Sequence, residues 1–240
     1  MLILEVMIPK IIHQVWEGAT EPVMSEQLQI LSESWREKNP SWEYRLWHQA
    51  EMEQLVKQNF PDFEETYFGF EYNVQRWDAI RYMILYQYGG FYADLDTECL
   101  EPLDSLLENK ICCFGEEPPE HSSVFSVDNL VGNAIMATIP NQEFFLLLLK
   151  EIKNSLDQYD THVVMNTTGP FMLTRVFNQY HSGDIDTLSY REVSPLTKED
   201  VIQILTENVT DEIANKLEKA FCVHYYFGSW DEKFSLFVNS

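Results

Sequence analysis

Apolar residues along this chain follow two rhythms, one helical and one of short continuous runs. Ala79, Ile80, Met83, Ile84 and Tyr86 recur at helical spacing, which predicts a helix over residues 73–88 that the Gly89-Gly90 pair ends. Phe91-Tyr92-Ala93 then reads as a buried strand running into Asp94. Nearer the start, residues 10–16 are short and β-branched and predict a first strand, which Glu17-Gly18 breaks. A helix over residues 25–38 carries Leu28, Leu31 and Trp35 on one face and stops at Asn39-Pro40, and residues 44–47 form a second strand. Strand and helix alternating in this way predict an α/β fold with a parallel sheet.

Further along, residues 51–67 read as one or two acidic helices broken at Pro61, with their carboxylates on a solvated face. Residues 111–115 read as a strand and 116–123 as a polar, proline-containing loop. Residues 130–133 suggest another strand, with Asn133 opening a short helix toward Ile139. An apolar helix covers 141–156, and Pro170 sits in the first turn of a further helix that Thr168-Gly169 opens. Residues 183–208 look like loop and short helix, and 221–227 like a last apolar strand interrupted by His224.

Composition narrows the class. A chain of 240 residues, 45% of them hydrophobic, is most simply one domain with a sizeable core. A formal net charge of -23 excludes nucleic acid as a partner and purely electrostatic docking on anionic lipid. The apolar start is interrupted by Glu5, Pro9 and Lys10, so it reads as neither a membrane span nor a signal peptide, and no transmembrane segment is read elsewhere. Cys99, Cys112, Cys113 and Cys222 have no metal-site or miniprotein spacing, which fits reduced thiols in a cytosol. Without a secretory signal, Asn166-Thr167-Thr168 and Asn208-Val209-Thr210 read as chance matches to glycosylation acceptors.

The candidate chemistry lies at Asp94 and Asp96. Two acids one residue apart point to opposite sides of a regular strand, so both face one ligand only where the strand bends or ends. Buried carboxylates repel each other and lose solvation, which a divalent cation offsets. Oxygen ligands suit magnesium, manganese or calcium. By itself a D-x-D sequence is a weak signal, and a solvated turn after a strand is the commoner reading. Asp78 and Arg81 stand one turn apart on the preceding helix, as a shared pocket or as a plain ion pair.

The run DAIRYMILYQYGGFYADLDTECLEPLD over residues 78–104 resembles the core of the family-32 glycosyltransferases, whose sugar-binding region contains a DxD motif. That family includes initiating mannosyltransferases of yeast and bacterial capsule and lipopolysaccharide enzymes, and its core is similar to the glucosylating domain of clostridial toxins. The resemblance extends to IPKIIHQVWEG (8–18), NPSWEYRLW (39–47), TGPFMLTR (168–175) and HYYFGSW (224–230), in the expected order.

The resemblance implies a GT-A-type, Rossmann-like α/β domain with a mixed, mostly parallel sheet. It further implies a retaining hexosyl transfer from a UDP- or GDP-sugar donor to a saccharide or lipid-linked saccharide acceptor, with Mn2+ or Mg2+ as cofactor. Asp94 and Asp96 would hold the metal, with His224 or Ser229 completing its shell, and Asp78 and Arg81 would fix sugar hydroxyls. Trp16, at the end of the first strand where open α/β sheets bind ligands, would stack on the base. Asn73, Tyr92, Asn133, Ser229 and Trp230 would line the donor. For Trp16, Tyr92, Asn133 and His224 a core-packing or capping role reads as well from the residues themselves. A bacterial, cytoplasmic enzyme of capsule or other surface polysaccharide, visiting the membrane transiently, is the expected setting. Two other classes fit the motif less well. A haloacid-dehalogenase-like phosphohydrolase wants its D-x-D near the N-terminus, and a calcium-binding loop wants further acids and a central glycine.

Overall fold

The computed structural model describes residues 7–16, 24–125, 127–159, 161–180 and 182–227. Its strands are β1 (Ile11–Trp16), β2 (Glu43–His48), β3 (Gly90–Ala93), β4 (Thr97–Cys99), β5 (Cys112–Glu116), β6 (Val131–Thr138), β7 (Asp186–Leu188) and β8 (Cys222–His224). Six of them form one sheet in the order β2-β1-β3-β6-β5-β7, while β4 and β8 pair separately. β2, β1 and β3 are mutually parallel, β5 and β7 are parallel, and β6 runs against both of its neighbours, β3 and β5. All strands of the large sheet except β6 therefore point the same way, as expected of a mixed, mostly parallel α/β fold.

Both faces of the sheet are covered, and the strands alternate between them. Tyr92, Phe114 and Met136 join a core built around the Asn73–Tyr88 helix with Tyr82, Phe144 and Phe145. Phe91, Ala93, Cys113, Ile135 and Ala137 join the opposite core with Ile12 and Trp35. In the Asn73–Tyr88 helix every residue from Asp78 to Leu85 is buried, so it is a core helix rather than a surface helix with one apolar stripe. Gly89 (φ +64) and Gly90 (φ +97) turn it into β3, and a Cβ on Gly90 would lie 2.6 Å from the Ile11 carbonyl oxygen. Only glycine lets the chain pass this close beneath β1.

Polar residues inside β1 tie the sheet to its neighbours. Trp47 Nε1 donates to His13 Nδ1 (3.1 Å), which leaves His13 Nε2 to donate to the Gly89 carbonyl (3.0 Å). The Glu26–Lys38 helix, capped by Ser25, buries Leu31 and Trp35. It also holds β4, because Trp35 Nε1 donates to the Thr97 carbonyl (3.1 Å) and Cys99 N donates to Ser34 Oγ (2.9 Å). The four cysteines are free and buried.

The structure corrects three readings of local structure. Asn133 does not open a helix; it lies inside β6, whose eight residues are all buried. Burial between β3 and β5 outweighs the helical preference of its Ala and Met residues. Residues 116–123 are not all loop, since a helix, Pro119–Phe125, begins at Pro119. The region read as loop and short helix holds β7 and two helices, Tyr190–Val193 and Lys198–Leu205.

Candidate active site

β3 ends at Ala93, and the next three residues turn. Asp94 N still donates to Ala134 O on β6 (2.9 Å), while Thr97 donates to the Asp94 carbonyl through N (3.2 Å) and Oγ1 (2.5 Å). Gln14 Nε2, held by Tyr44 through its amide oxygen, donates to the same carbonyl (3.0 Å). This turn breaks the strand alternation that would otherwise send the two carboxylates apart.

The third member arrives from the far side of the chain. β4 pairs antiparallel with β8, and the register sets Thr97 opposite His224. Tyr225 N then donates to the Asp96 carbonyl (2.9 Å) and Phe227 N to Asp96 Oδ2 (2.9 Å), while His224 Nε2 lies 3.3 Å from Asp96 Oδ1. As a result Asp94, Asp96 and His224 each offer a ligand atom, all within 4.8 Å of one another.

Behind them lies a buried ionic network. Arg81 Nη1 meets Asp94 Oδ1 (3.0 Å) and donates to the Asn133 carbonyl (2.9 Å), while Nη2 pairs with Asp78 Oδ1 (3.1 Å). Asp78 also accepts from Asn133 Nδ2 (2.9 Å) and Thr168 Oγ1 (2.8 Å). Tyr92 OH donates to Asp94 Oδ1 (2.7 Å). Asp94 thus has its side chain fixed by Arg81 and Tyr92.

Burial pushes the Asp94 carboxyl above the ordinary range; Arg81 pulls it back, and the neighbouring charge of Asp96 pushes it further up. Burial opposes ionisation of Asp96 too, but His224 and the Phe227 amide hold its carboxyl below the ordinary range. For His224, burial disfavours the charged ring, and Asp96 more than compensates, raising it to about 9. Two neighbouring carboxylates beside an imidazole are a donor set that fits a divalent cation: the ion would offset the charge repulsion that adds to burial in raising Asp94.

Not every residue singled out from sequence meets at this centre. Trp16 stands half-buried at the carboxyl end of β1, opposite His48 of β2 in register. Tyr92 and Asn133 are buried within the network described above. Asn73 opens the Asn73–Tyr88 helix on the exposed side, where its Oδ1 accepts from Arg76 Nη1. Ser229 and Trp230 lie outside the described residues. Sequence reasoning did not single out Gln14, Tyr82, Thr97, Glu117 or Tyr226 for roles here. Gln14 sits beside Trp16 in a strand, where a buried amide is itself a signal.

The chain is similar to known proteins over much of its length. Residues 25–112 match the family described as "Glycosyltransferase sugar-binding region containing DXD motif". The chain is 34% identical over 176 residues to "Mannosyl phosphorylinositol ceramide synthase CSH1" of Saccharomyces cerevisiae, covering 72% of this chain and 43% of that protein. It is 32% identical over 178 residues to "Inositol phosphoceramide mannosyltransferase 2" of Schizosaccharomyces pombe, covering 73% of this chain and 48% of that protein. It therefore spans under half the length of these relatives. Among solved structures, "PaToxG Glycosyltransferase" superposes with a TM-score of 0.56 at 19% identity, covering 72% of this chain and 69% of that chain, a likeness of fold alone. The architecture is that of a GT-A-type α/β glycosyltransferase. The chain belongs to the glycosyltransferase family whose sugar-binding region contains the DXD motif.

Proposed function

We propose that this chain is a single-domain, metal-dependent transferase that moves mannose from a nucleotide-sugar donor onto a hydroxyl of a lipid-linked acceptor, with retention at the anomeric carbon. The observation that carries the reading is the convergence of Asp94, Asp96 and His224 within 4.8 Å beside the end of β3. Mannose and a phosphoinositol ceramide acceptor are supported by the names of the two relatives. These favour a glycolipid acceptor over the surface polysaccharide that the family resemblance also allows. Retention rests on that resemblance.

In this reading Asp94, Asp96 and His224 hold Mn2+ or Mg2+, which when bound neutralises the diphosphate leaving group. Arg81 and Tyr92 keep the Asp94 carboxylate in one orientation, so no reorganisation is needed when the donor arrives. Asp78 and Arg81 orient the hexose at the edge of their network, and Trp16 stacks on the base. Among the described residues no helix is long and apolar enough to cross a membrane. A lipid-linked acceptor would then be met at a membrane surface.

Purified protein with manganese, presented in turn with GDP-mannose, UDP-glucose and UDP-galactose, tests the proposal through release of the nucleoside diphosphate. Release from GDP-mannose, and a one-hexose mass gain on phosphoinositol ceramide, are expected. Failure to turn over any nucleotide sugar with or without acceptor contradicts it.

A further inference from the structure

Tyr226 occupies left-handed backbone at φ +52, where a bulky residue is strained and persists only if its surroundings hold it. The flanking amides of Tyr225 and Phe227 are both spent on Asp96. The Tyr226 hydroxyl lies 3.1 Å from Glu117 Oε2 and 2.6 Å from Ser194 Oγ. A carboxylate only accepts, so Tyr226 donates to Glu117 and Ser194 donates to Tyr226. Glu117 Oε2 also accepts from His121 Nδ1 (3.0 Å), whose ring meets Tyr226 edge-on at 4.9 Å. The space for this carboxylate exists because position 132 is glycine: a Cβ there would come within 2.4 Å of Glu117 Oε1.

All of this presses the Tyr226 ring onto His224, with centroids 4.1 Å apart and planes inclined by 39°. A histidine that ligates a metal is ordinarily aimed by a hydrogen bond to its second nitrogen. His224 has no such bond, because Nδ1 is buried and meets no partner among the described residues. Its ring is aimed by packing instead. We propose that Tyr226, fastened by Glu117 and Ser194 in the room left by Gly132, is the positioning residue that turns His224 Nε2 toward a cation shared with Asp94 and Asp96.

The inference rests on the metal reading above, and the experiment separates the two. Manganese is titrated into wild type, Tyr226→Phe and Gly132→Ala, with affinity read from free-ion electron paramagnetic resonance. Nitrogen coordination is read from electron spin echo envelope modulation of the bound ion, and folding from circular dichroism. Tyr226→Phe keeps the ring and drops the hydroxyl, while Gly132→Ala displaces Glu117 and leaves Tyr226 itself unchanged. Wild type should bind manganese with a directly coordinated nitrogen. Both folded variants should bind it about tenfold more weakly and lose most of the nitrogen modulation. Should one variant fail to fold, the other decides. Nitrogen modulation and affinity as in wild type, in either folded variant, overturn the positioning role alone. Wild type that binds no manganese overturns the metal reading, and this inference with it.

Discussion

His224 Nε2 lies 3.3 Å from Asp96 Oδ1, although His224 ends β8 and Asp96 sits in the turn just before β4. The candidate centre therefore depends on the β4–β8 pairing, which is anchored by Trp35 and Ser34 of the Glu26–Lys38 helix. The geometry around Asp96 is thus tied to packing against the Glu26–Lys38 helix.

Metal removal should abolish donor turnover. Asp94 and Asp96 are half-buried acids with one guanidinium and one imidazole for balance, and a diphosphate adds further negative charge. Nucleotide-sugar hydrolysis should vanish in EDTA and return with manganese or magnesium. Unchanged turnover in excess chelator contradicts this.

Arg81 should prove as important to stability as to the site. Its guanidinium pairs with both Asp78 and Asp94, and its side chain is only 7% exposed. Arg81→Met strands the buried Asp78 carboxylate and the half-buried Asp94, which should cost about 3–5 kcal/mol. Urea denaturation of both proteins measures it, and a loss under about 1 kcal/mol would show that the carboxylates find other partners.

Stability should fall in mild acid because of His13. Burial lowers this imidazole to about 4, against 6.5 for the unfolded chain, and Trp47 already occupies the lone pair that a proton would need. Between those values the unfolded state binds the extra proton. The His13 contribution is thus intact above pH 6.5 and lost progressively as pH drops toward 4, by about 3 kcal/mol in all. His13→Gln should flatten the stability profile in that window; an unaltered slope rules His13 out as its source.

Trp16 ends β1 half-buried. If it stacks on the donor base, Trp16→Ala should weaken free GDP or UDP binding by about 1–3 kcal/mol in a folded protein. Unchanged affinity returns the indole to the role of core rim.

Much of this arrangement was legible in the sequence, and the reason is locality. The Asn73–Tyr88 helix, its Gly89-Gly90 end and the strand leading to Asp94 are each written in adjacent residues. The mixed sheet followed from strand and helix alternation together with a family resemblance. β4 goes unread in the sequence and β8 reads too long, over 221–227: each is three residues long, and they become strands by meeting each other. Asn133 was misread because a strand buried on both faces shows a continuous apolar run that periodicity does not separate from a helix. Glu117 and Tyr226 carried no local signal, since their meaning comes from a contact between distant segments.

Calorimetric titration of GDP, with and without manganese, into wild type, Asp96→Asn and His224→Ala tests the central claim most directly. If Asp94, Asp96 and His224 hold the cation that receives the diphosphate, wild type should bind GDP much more tightly with manganese than without it. Both folded variants should lose that difference. Equal GDP affinity with and without manganese in wild type, or a manganese effect retained in both variants, contradicts the account.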